Sequence, residues 1–539
     1  MKTNNIIPEI AKHKNTCIVQ IIFNVILAIL SILTPLLEAA LINSLVQGTI
    51  DRTFISFGSL AIIFFLLRVL VSYFMSRIEY IKILDIKYSI FKYVLNKIYR
   101  SDMKEISKFD GNYLNTRLNT DIDTIVYFIF LKVPSVVQSG VTLLSISIVL
   151  YTIQKNIYIF FIFLIIIYLL IYFGCKNSLY SMFLLIREKS TRFNSQKASL
   201  FQRLDNIIIQ SMENVELKRL NTKFNSMIRA VRSNFGLRYI ISTLQIFVTF
   251  IFQAIFFWFG GIEVAKKRMS LGLFTATVQY FNTFMNCLDD FFDIAVQLEE
   301  FTGALGRINE ILEIADVEYG DEIIRNVERI ELTDLNLKTI GDEQPMYSKN
   351  INKTFVKGKL FILRGKNGVG KTSLVRTLVG GGINNYSGTI KINNIMLDKI
   401  NLKNLREHGV SYMSQNNIPQ DITVVEFLST YESFDNNFGQ YHSLVKQIWD
   451  LLLEKNTSNI LNRKIDSLSG GEFQLLNLLL TLSKPDTDII ILDEPFSNIS
   501  TNIYQTLLDI LNKLSEDKII IIISHDSIPE YDKEVVYIG

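Results

Sequence analysis

The chain has 539 residues, 49% of them apolar and only 20% charged, with a mean hydropathy of +0.26. Ordinary globular proteins carry about 25% charge, so a wholly soluble, disordered, collagen-like or coiled-coil chain is excluded. The balance of 55 basic against 52 acidic groups, +3 overall, leaves no electrostatic footprint for nucleic acid, and none is expected as a partner. Cys17, Cys175 and Cys287 are odd in number and far apart, so neither a disulfide framework nor a metal cluster is implied.

In chain order, a short N-terminal segment (1–17) precedes apolar runs long enough to cross a bilayer, which takes roughly 20 residues at 1.5 Å each. Six spans are predicted, all in the first part of the chain: Ile18–Leu45, Ile55–Ser76, Val133–Tyr151, Ile157–Gly174, Ile240–Ile262 and Leu271–Ile294. The first is too long for a signal-peptide core. Pro35 within it predicts a kink, which membrane helices tolerate. The loops after the second and fourth spans are long and rich in basic residues, among them Arg77, Lys82, Lys97, Lys176, Arg187 and Arg219. Basic residues collect on the cytoplasmic side, so both long loops and both termini are assigned inside. Their helical periodicity predicts that the spans continue far beyond the bilayer. The expected membrane domain covers 18–301, with a charged connector over 302–326.

From about residue 327 onwards the pattern changes to short β-rich runs alternating with helices, as in an α/β domain (327–539). Asp488–Leu492 and Ile519–Ile523 read as buried parallel strands. Gly365-Lys366-Asn367-Gly368-Val369-Gly370-Lys371-Thr372, followed by Ser373, is a complete phosphate-binding loop between the strand Leu360–Arg364 and a helix. Its glycines let main-chain N–H groups curl round a phosphate at a helix N-terminus. Lys371 is expected to reach the terminal phosphates, and the Thr372 hydroxyl to hold Mg²⁺. Asp493 ends an apolar strand and offers the metal a carboxylate. Glu494, next to it, is the candidate base for an attacking water. Ser469, Gly470, Gly471 and Glu472 build a second anion-binding helix terminus. One chain needs only one such terminus for one ATP, so this one is expected to cap a nucleotide held by a second copy.

These motifs resemble those of the ABC transporter family over nearly the whole chain. Leu468–Glu472 resembles its signature, with Glu472 in the last place. The resemblance implies that Gln415, in Tyr412-Met-Ser-Gln415, senses Mg²⁺ and the membrane domain, and that His525 contacts the γ-phosphate. Segments near 109–121 and 210–220 are similar to the coupling segments of exporters, and Arg307–Leu312 to the lead into their ATPase domain. The fold expected is thus an α-helical six-span membrane domain with long cytoplasmic extensions, followed by an α/β P-loop ATPase domain. The activity implied is ATP-driven export across a bacterial cytoplasmic membrane by a dimer, with ATP and Mg²⁺ as cofactors. A second copy and membrane lipid are its partners, and a small molecule or peptide its cargo, an antimicrobial or modified peptide being the one the resemblance favours. The brief segment before the first span is expected to leave no room for a processing peptidase.

Four departures from the family pattern stand out. Leu337 and Thr339 occupy places where an adenine-stacking aromatic is expected, which makes Tyr347 a substitute candidate. Ser500 stands where an aspartate is usual, and Phe473-Gln-Leu475 lacks an arginine. The sequence ends at Gly539, fourteen residues beyond His525, and is expected to lack most of the C-terminal helices. These favour, as an alternative, a non-hydrolysing subunit of a heterodimer; lipid or hydrophobic-drug export is a second alternative. Charges within the spans (Glu38, Arg68, and the Asp289, Asp290, Asp293 group) either line a pocket suited to a cationic cargo, or Glu38 and Arg68 pair with other helices and the Asp group marks the cytoplasmic extension of the sixth span.

Overall fold

The computed structural model describes residues 6–538 apart from 49–50, 110, 154, 318, 339–343, 382–385, 416–420, 431–441, 455–459 and 525–532. Thr339 and His525 lie outside the described residues. The chain divides into two units, Met1–Ser101 with Lys108–Ala315, and Asp102–Ser107 with Asp316–Gly539.

The named elements of the first unit are helices among its described residues. Its long elements are α1 (Lys14–Gln47), α2 (Arg52–Arg100), α3 (Val133–Ile153), α4 (Lys155–Gln202), α5 (Glu213–Ala265) and α6 (Leu271–Leu312). α2, α4 and α5 run for 49, 48 and 53 residues, roughly 75 Å each against a hydrocarbon core of about 30 Å. The basic stretches read as extensions of the spans are therefore continuous helix. Among the described residues, five helical runs have the length and apolarity to cross a membrane. The sixth expected span lies on α6, which is helical throughout but is not one of the five. Gln279, Thr283, Asn286, Asp289 and Asp290 break up its apolar run. The first part of the expected connector is also helix, because Ala304, Ile308, Ile311 and Leu312 recur at helical spacing. They bury against Ile86, Ile90, Leu118 and Ile122.

The first expected coupling segment falls where the chain reverses between long helices, and the second covers the end of the next reversal and the first turns of α5. Residues Gly111–Thr116 form a short helix that runs into two π-helical turns, Arg117–Asp121 and Phe128–Lys132, before α3. The second reversal has Leu204–Ile209 as a short helix and Ser211 in the left-handed region, with φ 51°. Elsewhere α1 and α6 meet at Gly272, where a Cβ would lie 2.0 Å from the Ala39 carbonyl oxygen. Only glycine permits that approach, which suits helix packing in a bilayer.

Among the described residues the second unit carries nine strands: β1 (Arg329–Leu337), β2 (Ile351–Val356), β3 (Lys359–Arg364), β4 (Tyr386–Ile392), β5 (Ile395–Met396), β6 (Val410–Met413), β7 (Ile489–Asp493), β8 (Ile519–Ile523) and β9 (Lys533–Tyr537). They form an antiparallel sheet ordered β2-β1-β4-β5 and a parallel one ordered β6-β7-β8-β3-β9. In the parallel sheet Leu360, Ile362, Ile490, Leu492, Ile520 and Ile522 face one core, and Phe361, Leu363, Ile489, Ile491, Ile519 and Ile521 face the other. Strict alternation with both faces covered explains why β7 and β8 read as unbroken apolar runs. Each such side chain contributes roughly 1.5–3 kcal/mol by leaving water.

Candidate nucleotide site

Because β3, β8 and β7 run parallel, their C-terminal ends open at one edge, the usual place for a ligand in such sheets. The phosphate-binding loop leaves β3 there and enters the helix α7 (Lys371–Leu378) through Gly370, whose φ is +98°. A Cβ at Gly370 would fall 2.2 Å from the sulfur of the flexible Met346 side chain, and the positive φ by itself calls for glycine. Lys371 folds back over the loop and donates to the Gly365 carbonyl at 2.8 Å and the Lys366 carbonyl at 3.4 Å. Burial lowers its pKa, while the nearby Glu494 and Asp493 carboxylates act in the opposite direction.

Across the cleft, Thr372 Oγ1 donates to Asp493 Oδ2 at 2.8 Å, although 121 positions separate the two. Asp493 is 1% exposed at the end of β7. A cavity of about 430 Å³ is lined by Asn367, Gly368, Val369, Gly370, Lys371, Thr372, Ser373, Gln415, Asp493, Glu494 and Ile523. It thus gathers the expected metal group Thr372, Gln415 and Asp493, the expected catalytic groups Lys371, Gln415 and Glu494 (the fourth, His525, lies outside the described residues) and most of the phosphate loop; Gly365 and Lys366 present their carbonyls to Lys371 instead. The donor set of a helix N-terminus, an ammonium and a hydroxyl joined to a carboxylate fits a Mg²⁺-bound triphosphate.

Glu494 itself occupies the left-handed region at φ 54°, an uncommon conformation for a residue with a side chain. Hydrogen bonds at both its N–H and its carbonyl hold its main chain there. Its N–H donates to the Ile523 carbonyl at 3.0 Å, and its carbonyl accepts from Gln474 Nε2 at 2.9 Å and Ser497 Oγ at 3.1 Å. Gln474 escaped the sequence reading, which looked near it only for a missing arginine. The signal was its place one turn into the helix that follows the signature glycines.

That helix, α8 (Gly470–Ser483), starts with a reciprocal cap. The Ser469 N–H and Oγ both donate to Glu472 Oε2, at 2.7 and 2.9 Å. The Glu472 carboxylate therefore lies at the helix terminus where an anion was expected. None of Ser469, Gly470, Gly471 or Glu472 lines the phosphate cavity of its own chain.

The structure rules out Tyr347 as the adenine-stacking group. Its ring is 2% exposed, its hydroxyl donates to the Gly370 carbonyl at 3.0 Å, and Asn336 brackets its main chain on both sides. Burial raises its phenol pKa. Tyr347 supports the phosphate loop from beneath.

A helical unit with membrane-length apolar helices and an α/β unit with a P-loop cavity define a multi-pass membrane protein that carries a nucleotide-binding domain. Sequence comparison agrees in both halves. The pattern of the ABC transporter family matches residues 348–497, and that of the ABC transporter transmembrane region matches 17–288. A putative export ATP-binding/permease protein of Rickettsia typhi is 24% identical over 456 residues, covering 79% of this chain and 74% of that one. The lactococcin-G-processing and transport ATP-binding protein LagD of Lactococcus lactis is 23% identical over 362 residues, covering 64% of this chain and 51% of LagD. A probable ABC transporter ATP-binding protein of Mesomycoplasma hyorhinis is 28% identical over 224 residues, 39% of this chain and 87% of that protein. The chain belongs to the ABC transporter family, as an exporter-type half-transporter whose membrane region and ATPase share one polypeptide, and it couples ATP hydrolysis to transport.

Proposed function

We propose that the chain works as a homodimer in a bacterial cytoplasmic membrane, both termini inside, exporting a small molecule or peptide. In this reading the membrane domain spans 18–301 with six crossings, a connector follows over 302–326, and the ATPase domain covers 327–539. The single observation that carries the assignment of roles is the Thr372–Asp493 hydrogen bond, with Lys371, Gln415 and Glu494 round the same cavity.

Gly365–Ser373 cradles the phosphates of ATP, and Lys371 exchanges its loop carbonyls for phosphate oxygens. Thr372, Gln415 and Asp493 are the residues that would hold Mg²⁺, which neutralises charge on the phosphate oxygens when bound. Glu494 orients a water and takes its proton as the water oxygen attacks the γ-phosphorus, while the bond to the β,γ-bridging oxygen breaks and inorganic phosphate leaves. His525 contacts the γ-phosphate. Ser469–Glu472 of the second copy closes the site, in keeping with its absence from the cavity of its own chain. Because a ligand shifts an equilibrium only by its differential affinity, ATP must make most of its contacts in the closed dimer.

The test is vanadate-sensitive ATP turnover by the full chain in lipid nanodiscs, beside Glu494→Gln. Turnover lost in the variant, with ATP still bound, is expected. Persistent turnover overturns the role of Glu494, and silence of a folded wild-type dimer overturns the homodimer in favour of a second, different chain.

A further inference from the structure

The first unit holds a cavity of about 420 Å³ whose walls are polar, although they are drawn from membrane-length helices. α1 contributes Glu38, α2 Arg68, α3 Gln138 and Thr142, and α6 Gln279 and Asn286. Charges and amides are expensive within a bilayer and concentrate where they serve a ligand or one another. The ion pairing here is incomplete. Asp290, also in the wall, accepts from Ser139 Oγ at 2.7 Å and lies 3.9 Å from the Lys132 ammonium, so its charge is answered. Glu38 is held by a neutral partner, Gln279 Nε2, at 2.6 Å. Among the described residues Glu38 has no cation and Arg68 no anion, and the two do not pair with each other.

One carboxylate and one guanidinium in the wall of the same cavity, with side chains beside them that each offer a donor and an acceptor, complement a molecule that carries an ammonium, a carboxylate and amides. The volume falls within the roughly 300–1,000 Å³ of small-ligand sites. A lipid tail or a greasy drug would leave these polar groups unsatisfied, which is unfavourable. We propose that this cavity is a cargo site for a short zwitterionic peptide, its ammonium on Glu38 and its carboxylate on Arg68. Gln138, Gln279 and Asn286 then answer its peptide groups. The inference rests on the reading of the chain as an exporter and narrows its cargo.

The experiment is equilibrium dialysis of radiolabelled Ala-Ala-Ala against the full-length protein in lipid nanodiscs, alongside its N-acetyl and C-amide derivatives. Saturable binding of the zwitterion is expected, with each blocked derivative at least about tenfold weaker, as for loss of a close charge pair. Glu38→Gln should weaken the free tripeptide to the same degree yet leave the N-acetyl derivative as it binds to wild type. Arg68→Gln should behave likewise with the C-amide. The derivatives probe the same charges on the unaltered protein, so they decide the matter even where a substitution fails to fold. Absence of saturable binding, or equal binding of free and blocked peptides, overturns the cargo site. Vanadate-sensitive ATP turnover in the same nanodiscs reads the underlying function separately. Turnover without peptide binding sinks this proposal alone, and absence of turnover sinks the homodimer on which it rests.

Discussion

Arg307 grips Asp121 from 186 positions away, with Nε to Oδ2 at 2.9 Å and Nη2 to Oδ1 at 2.5 Å. Asp121 is 1% exposed, closes the first π turn, and also lies 3.4 Å from both Arg117 and Arg187. One carboxylate thus ties the first expected coupling segment to the end of α6 and to α4. Asp121→Asn keeps the shape but leaves three guanidinium groups round a neutral amide. Breaking a buried pair costs roughly 3–5 kcal/mol, and partial exposure of the arginines places this one at about 3. Thermal unfolding of the detergent-solubilised chain checks it; an unchanged midpoint would mean that Arg307 has another acceptor.

Gln474 is not among the residues that line the phosphate cavity, but it holds the carbonyl of Glu494, which is. Gln474→Leu should therefore lower kcat by about tenfold while KM for ATP stays near wild type, as expected of a group that positions the base without binding substrate. A rise in KM at constant kcat would place its effect on nucleotide binding.

Tyr347→Phe removes only the hydroxyl that meets the Gly370 carbonyl. The loss should be about 0.5–1.5 kcal/mol, read as ATP binding weakened a few-fold. Preference for ATP over GTP should not move, because the ring is buried. A changed ratio would return Tyr347 to the base-binding surface.

Glu472→Gln preserves a side chain able to close the cap on Ser469 while removing a negative charge from a helix N-terminus. The helix should lose about 0.5 kcal/mol of stability. ATP-driven dimerisation, followed by light scattering of the Glu494→Gln background, should occur at several-fold lower ATP. No change would mean that the signature terminus of one copy does not meet the phosphates held by the other.

Burial depresses the Lys371 pKa below its usual 10.5. The penalty on the charged form applies below that depressed pKa and is relieved as pH rises through it. Triphosphate binding requires the ammonium, so affinity for a fluorescent ATP analogue should decline as pH rises through that depressed pKa, below 10.5. Lys371→Met should bind weakly with no such slope.

Much of the nucleotide site was legible because its chemistry is written in contiguous residues. A backbone cradle for phosphate needs its glycines and Lys371 within one turn, and the metal carboxylate must follow an apolar strand directly. β7 and β8 showed themselves as apolar runs for the same local reason. The antiparallel sheet left no comparable mark, since β1, β2 and β4 mix exposed and buried positions around Asp334, Asn352 and Ser387.

By itself the sequence determined the order of the two halves, the membrane-length helices, the phosphate loop and the pair Asp493–Glu494, all set by local periodicity and short-range spacing. Tertiary structure alone decided that Thr372 meets Asp493, that Gln474 steadies Glu494, and that Tyr347 faces inward. It also set Glu38 against Gln279, 241 positions away, and turned scattered intramembrane charges into one wall. Such pairings depend on strand order and helix packing, which bring distant positions together through the burial of the whole chain, and no window of sequence contains that information.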